Sequence, residues 1–356
     1  MDSRLLCGDV REVLPTLDAG SVQCVVTSPP YWGLRNYNVE GQIGLEPTPE
    51  EYVQTMVEVF REVKRVLRDD GTVWLNLGDS YSRGMRTTVP SQAGDAASHN
   101  NSDKYGFASP SAMIRDHPTI KPKDLIGIPW RVAFALQTDG WYLRSDIVWA
   151  KGVSFCPDYS GSVMPESVTD RPTKSHEYLF LLTKSARYYY DADAVRENFA
   201  DERQGAAGGQ NWTRSETLTA STGRPQDAPM TNGRNLRSVW TINPQPYREA
   251  HFATYPTTLV EPCVKAGSKT GDTVLDPFAG SGTTGLVAGQ LGRGFIGIEL
   301  STDYYKLADE RINGPLFAAS GRPSSGQDVQ GESQDRTTPL PLDDGRPESA
   351  TGDHRA

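Results

Sequence analysis

Residues 273–300 read TVLDPFAGSGTTGLVAGQLGRGFIGIEL, and the fold turns on how this stretch is read. A short β-branched run, Thr273–Leu275, leads into a glycine-rich turn, and the turn opens a stretch with helical character. Within it, Gly280-Ser281-Gly282-Thr283-Thr284-Gly285 matches the G-x-G-x-x-G pattern. Glycines allow a tight turn and let a ligand approach the backbone closely. The first turn of a helix leaves N–H groups without intrahelical partners, and these face polar ligand atoms. The next apolar run, Phe295–Ile298, closes on Glu299, nineteen positions after Gly280. An acid at that place suits a grip on ribose hydroxyls.

Taken alone, the stretch indicates a nucleoside cofactor and leaves three readings open. One is a turn used only for packing; a second is a nicotinamide dinucleotide site in an oxidoreductase. Against the second stands Asp276-Pro277-Phe278, an acid and a ring on the rim that would crowd a pyrophosphate. The motif also lies late in the sequence, which leaves no room for a full dinucleotide domain. The third reading is another nucleoside cofactor.

Working outward, apolar runs rich in β-branched residues recur at Val22–Val26, Thr72–Leu77, Leu143–Trp149 and Tyr178–Thr183. Helical patterns alternate with several of them. In the clearest, Thr48–Leu67, Thr48 is placed to cap, Pro49 fits the first helical position and Glu51 completes a capping box. Val53, Met56, Val57, Phe60, Val63 and Leu67 make one apolar stripe, and Asp70-Gly71 is expected to end the helix before the strand TVWLNL. Alternating strands and helices imply an α/β fold with a mostly parallel sheet.

The run Val22–Val26 is followed by TSPPYWGLRNY, residues 27–37. Two prolines fix φ and remove N–H donors, so this corner presents carbonyls in a rigid frame beside the Ser28 hydroxyl. Tyr31 and Trp32 follow at once; Trp32 either closes a pocket or packs in the core.

The chain has 356 residues, 37% of them hydrophobic and 23% charged, enough to bury a sizeable core. No apolar run has the roughly 18–20 residues of a membrane span, and MDSRLLCGDV lacks a signal-peptide stretch, so a cytoplasmic protein is expected. The four cysteines, Cys7, Cys24, Cys156 and Cys263, form no C-x-x-C pair, which argues against a zinc site and a disulfide framework. The formal net charge is −9, yet residues 203–248 hold six arginines against two acids, and residues 83–123 hold six basic residues against three aspartates. Charge distribution bears on nucleic-acid binding more than the total does.

Together these motifs carry a resemblance. DPFAGSGTT resembles the S-adenosylmethionine loop of amino-group DNA methyltransferases, and TSPPY resembles their [DNS]PP[YFW] catalytic tetrapeptide. The order, tetrapeptide first and cofactor loop last, is similar to the β group of that family, and the likeness covers most of residues 4–312. It implies a Rossmann-like methyltransferase fold with helices on both faces of the sheet and irregular insertions. S-adenosylmethionine is the implied cofactor and double-stranded DNA the implied partner. A cognate restriction endonuclease and a homodimer are left open.

The resemblance also assigns roles. Ser28, Pro29, Pro30 and Tyr31 would be catalytic: the Ser28 hydroxyl and the Pro29 carbonyl accept from the target amine, and Tyr31 stacks on the flipped base. Asp276, Phe278, Gly280, Gly282, Thr283 and Thr284 would form the cofactor loop, Glu299 would hold the ribose, and Thr257 matches a position near the methionine end. Asp9, in LCGD, matches a position near the adenine edge and also reads as a surface turn. No cysteine follows the prolines, so the thiolate chemistry of C5-cytosine methylation is excluded. Ser28 in first place favours N4-cytosine over N6-adenine, and an RNA or a protein glutamine remains as an alternative substrate. His176 reads as structural, while His99 and His117 carry no visible chemistry. Arg214, Arg224, Arg234 and Arg237 fall in the expected target-recognition insertion and are candidate DNA contacts. The expected organisation is a catalytic half over 1–199 with a long loop at 80–122, a recognition insertion at 200–240, a cofactor half over 241–312 and a disordered tail from 313.

Overall fold

Apolar runs that alternate with helices assemble into one sheet. The computed structural model describes residues 3–82, 117–157, 159–197, 233–244 and 255–314. The strands are β1 (Ser3–Cys7), β2 (Val22–Thr27), β3 (Leu67–Leu77), β4 (Tyr142–Ala150), β5 (His176–Thr183), β6 (Val239–Thr241), β7 (Thr273–Asp276) and β8 (Gly294–Glu299). Their order is β1-β8-β7-β2-β3-β5-β4-β6. Every pairing is parallel except the two made by β5, with β3 and with β4. The sheet is therefore mostly parallel, as expected.

The helices are α1 (Val10–Val13), α2 (Pro49–Val66), α3 (Ile128–Thr138), α4 (Thr257–Gly267), α5 (Thr283–Gln290) and α6 (Thr302–Asn313). Successive strand residues point to opposite faces, and the core divides accordingly. Val25, Val73, Leu75 and Phe180 pack with buried residues of α1, α2 and α3. Their neighbours Val26, Trp74, Leu179 and Leu181 pack with those of α4, α5 and α6. Helices cover both faces, which suits strands that read as near-continuous apolar runs. Among the described residues, no helix is long and apolar enough to cross a membrane.

Helix α2 starts as its sequence dictates: the Thr48 side chain accepts from the Glu51 N–H, and Pro49 follows. Its end differs from expectation. Asp70-Gly71 does not stop the helix; the chain passes straight from Val66 into β3 at Leu67. The register with β2 jumps from Val22 opposite Leu67 to Cys24 opposite Thr72, so residues 68–71 form a bulge. Gly71 makes it feasible, because a Cβ there would lie 2.6 Å from Leu67 Cγ. Two strands were not expected: β1, and β6, whose three residues pair with β4 at the border of the expected recognition insertion. The long loop at 80–122 is anchored at its described ends, where Tyr81 bridges Leu125 and Ser82 N–H donates to Asp124. Residues 83–116, most of the insertion with Arg214 and Arg224, His99, and the tail from residue 315 lie outside the described residues.

Candidate active site

The carboxyl ends of β7 and β2 lie side by side. From β7 the chain winds outward to β8, and from β2 it winds the other way to β3, so this pair is the topological switch point. A cleft of about 260 Å³ opens there. The two motifs meet in it: Ser28, Pro29, Pro30 and Tyr31 line one side, and Phe278, Gly280, Thr283 and Glu299 the other. Some 250 positions apart in the chain, they are clamped at their bases, where the Thr27 hydroxyl donates to Asp276 Oδ1 at 2.7 Å.

On the glycine side, several residues support the turn and do not face the cleft. Asp276 is fully buried. Its Oδ1 accepts from Thr27 and from the Phe278 N–H at 3.1 Å, and its Oδ2 from the Thr284 and Tyr255 hydroxyls at 2.7 and 2.8 Å. Burial pushes its carboxyl above the ordinary value, and these donors pull it back. The buried Thr284 hydroxyl also reaches the Val26 carbonyl at 3.2 Å. It serves the clamp and is not a lining residue, although it belongs to the expected cofactor loop. Gly282 has φ +78°, and a Cβ on it would lie 2.9 Å from Ile312 Cδ1 and 3.1 Å from Ala308 Cβ. Its role is to admit α6. Thr257 opens α4 and is not a lining residue; Tyr255, two positions earlier, is.

Other residues on this side do face the cleft. Gly280, at φ +52°, donates its N–H to Glu299 Oε2 at 2.8 Å, and Ser301 N–H donates to Oε1 at 2.8 Å. Each Glu299 oxygen keeps further acceptor capacity. Burial raises the Glu299 carboxyl above its usual range. Thr283 lines the cleft, and Arg311 of α6 braces it by donating to Thr283 Oγ1 and the Ser281 carbonyl at 3.0 and 3.2 Å. Asp9 stands at the edge of the same cleft. It also caps α1, accepting from Arg11 N–H at 2.8 Å. Burial raises its carboxyl, but hydrogen bonds from Arg11 outweigh that and hold it below the usual value.

On the proline side, the Pro30 carbonyl is taken by the Tyr52 hydroxyl at 3.0 Å, whereas no described residue donates to the Pro29 carbonyl. Trp32 is core: it is 1% exposed, and its indole N–H donates to the Glu46 carbonyl at 2.8 Å. The Tyr31 ring lies over Gly78, where a Cβ would stand 2.5 Å from Tyr31 Cε2. The Tyr31 hydroxyl donates to Glu177 Oε2 at 2.7 Å. Asn76 Nδ2 donates to the Tyr31 hydroxyl at 2.7 Å and to Glu177 Oε2 at 3.0 Å, and Lys151 bonds Glu177 Oε1. Burial raises the Glu177 carboxyl, but Lys151, Tyr31 and Asn76 together hold it below the ordinary value.

Asn76, Lys151 and Glu177 line the cleft, and the sequence reading did not single them out. It stopped one residue short, at His176, which is set edge-on to the Tyr178 ring and is not a lining residue. The available signal was polarity: Asn76 interrupts TVWLNL, and Glu177 is the second residue of HEYLFLLT, just before its apolar run. His117 Nε2 donates to Glu50 Oε2 at 2.9 Å, away from the cleft. Arg234 and Arg237 both pair with Glu197, at 2.8 and 2.9 Å, and neither lines the cleft.

A family model described as DNA methylase matches residues 22–310. Type II methyltransferase M.Cfr9I of Citrobacter freundii is 48% identical over 308 residues, which cover 86% of each chain. M.SmaI of Serratia marcescens, also a Type II methyltransferase, is 45% identical over 312 residues, 87% of this chain and 90% of its own. Among solved structures, TTHA0409 of Thermus thermophilus complexed with S-adenosyl-L-methionine aligns with a TM-score of 0.51 at 25% identity, covering 88% of this chain and 96% of that one. The PvuII DNA methyltransferase (cytosine-N4-specific) shares the fold, with a TM-score of 0.56 at 18% identity over 88% of this chain and 86% of that one.

Proposed function

The chain belongs to the DNA methylase family, and from that premise we propose that it methylates the exocyclic N4 amine of cytosine in double-stranded DNA. The cofactor is S-adenosylmethionine, as in the solved complex of the same fold. The observation that carries the finer reading is the place of Ser28. It opens the proline corner, lines the cleft, and stands beside the glycine turn that Thr27 and Asp276 clamp to it.

The residues present fit the cofactor. Glu299 offers two carboxylate oxygens with spare acceptor capacity for ribose hydroxyls. The turn at Gly280 brings bare backbone to the cleft, and Phe278 supplies an apolar wall. Thr283 starts α5, whose free N–H groups favour a carboxylate. Asp276, Thr284 and Gly282 keep this shape without touching the ligand. When bound, S-adenosylmethionine supplies an electrophilic sulfonium methyl.

The protein's own work is to control the amine. An amine conjugated to a ring is a poor nucleophile, because its lone pair is delocalised. Ser28 Oγ and the Pro29 carbonyl accept from its two N–H groups and draw the nitrogen toward a tetrahedral shape. The freed lone pair would take the sulfonium methyl, the carbon–sulfur electron pair would stay on the sulfur as a neutral thioether, and the methylated nitrogen would lose its surplus proton to water. Positioning is the main contribution in such a displacement. The base must leave the duplex to enter the cleft, and the Tyr31 ring is the surface that receives it. The relatives' Type II names support a modification enzyme paired with a restriction endonuclease.

Long-read sequencing of DNA from cells that express the protein tests this reading. N4-methylcytosine at one recurring sequence context is expected. N6-methyladenine at that context would assign the amine to adenine instead.

A further inference from the structure

The Ser28 hydroxyl stands in a chain of hydrogen bonds that ends on a buried carboxylate. A hydroxyl can give one proton or accept two, so Ser28 alone does not decide what it offers to the cleft. Its neighbours decide. Glu177 is held ionised between Lys151 and two donors, and an ionised carboxylate only accepts. The single Tyr31 proton therefore goes to Glu177 Oε2, at 2.7 Å. The Tyr31 oxygen is left to accept, and Ser28, 3.2 Å away, donates to it. Asn76 Nδ2 supports the same direction: its two N–H groups donate to the Tyr31 oxygen at 2.7 Å and to Glu177 Oε2 at 3.0 Å, and Ser28 Oγ lies 3.3 Å from the same nitrogen. The amide cannot turn over, because its oxygen would then face the Glu177 carboxylate at 3.0 Å.

We propose that Glu177, acting through Tyr31, commits the Ser28 proton inside the protein and so fixes Ser28 Oγ as an acceptor toward the cleft. Glu177 is a positioning residue, Asn76 steadies the chain, and Lys151 keeps its carboxylate charged. Lys151 itself is held 4.6 Å from the centre of the Trp149 ring. An acceptor at this place attracts an amine N–H and repels a carbonyl oxygen. The arrangement thus selects an amine-bearing base and prepares that amine for attack. The inference rests on the reading that Ser28 meets the amine.

Single-turnover methylation of duplex DNA tests it, with cofactor and DNA dissociation constants measured alongside. The variants are Ser28→Ala, Glu177→Gln, Tyr31→Phe and the pairwise doubles. Glu177→Gln and Tyr31→Phe should each slow transfer by about 10- to 100-fold, the scale of a misplaced reacting group. Cofactor and DNA affinities should stay within about twofold, which a merely structural loss would not allow. In the Ser28→Ala or Tyr31→Phe background, Glu177→Gln should cost no more than about a further twofold, because the chain is already broken. Full additivity of Glu177→Gln with Ser28→Ala overturns the proposal, as does a wild-type rate for Glu177→Gln. If Glu177→Gln fails to fold, Tyr31→Phe, which removes one hydroxyl only, decides by its own rate and its coupling to Ser28→Ala. A wild-type rate for Ser28→Ala alone would instead sink the reading of Ser28 as the amine's acceptor, and this proposal with it.

Discussion

Single residues divide into those that face the ligand space and those that shape it. Asp276 shows the division best, because its motif position marks it as a cofactor residue while its geometry makes it a clamp. Four donors converge on its two oxygens. Asp276→Asn removes the carboxyl whose charge burial disfavours, but it turns an NH2 group toward two of those donors. An unsatisfied buried donor costs about 1–3 kcal/mol, so a loss of stability of that order is expected, read as a lowered denaturation midpoint. Weakened cofactor binding should accompany it, since the glycine turn and the proline corner lose their tie. An unchanged midpoint would show that the hydroxyls of Tyr255 and Thr284 can turn to accept, and that the clamp is slack. From the sequence, the motif could be recognised but not the facing of its members. DPFAGSGTT does not reveal that Asp276 and Thr284 point inward while Thr283 and Gly280 line the cleft.

At the scale of elements, the strands and the main helix were legible because their patterns are strong. Val22–Val26 became β2 with one added residue, and the Thr48 cap with Pro49 fixed the start of α2. What failed was local propensity against pairing. Asp70-Gly71 reads as a stop signal, yet β2 pairs with Leu67 before it and Thr72 after it, and β5 pairs from Thr72 onward, so the segment stays in the strand as a bulge. Strand β6 has only three residues, and its pairing with β4 joins positions about ninety apart, so no local pattern announces it. The glycine turn carries the element-scale prediction. Gly282 sits in the left-handed region, which costs a residue with a Cβ about 1–2 kcal/mol, and its missing Cβ is the space α6 occupies. Gly282→Ala should therefore displace the start of α5 and weaken cofactor binding about tenfold, since about 1.4 kcal/mol corresponds to that factor. Calorimetric titration with S-adenosylmethionine measures it, and unchanged affinity would mean that the turn tolerates a shifted α6.

Across the whole molecule, function follows from topology. The two motifs lie at opposite ends of the sequence, and the sheet order makes them neighbours at the switch point between β7 and β2. That convergence could be expected from the resemblance. The supporting chain from Ser28 to Lys151 could not, because it needs the register of β3, β4 and β5 to bring residues 31, 76, 151 and 177 together. The pairing of Arg234 and Arg237 with Glu197 likewise emerged only in three dimensions. The central claim is that one cleft brings a sulfonium methyl to the N4 amine of cytosine. The most direct test is mass spectrometry of nucleosides from duplex DNA incubated with the purified protein and methyl-deuterated S-adenosylmethionine. The account predicts deuterated N4-methylcytosine as the labelled nucleoside. Label on N6-methyladenine, or on 5-methylcytosine, would contradict it.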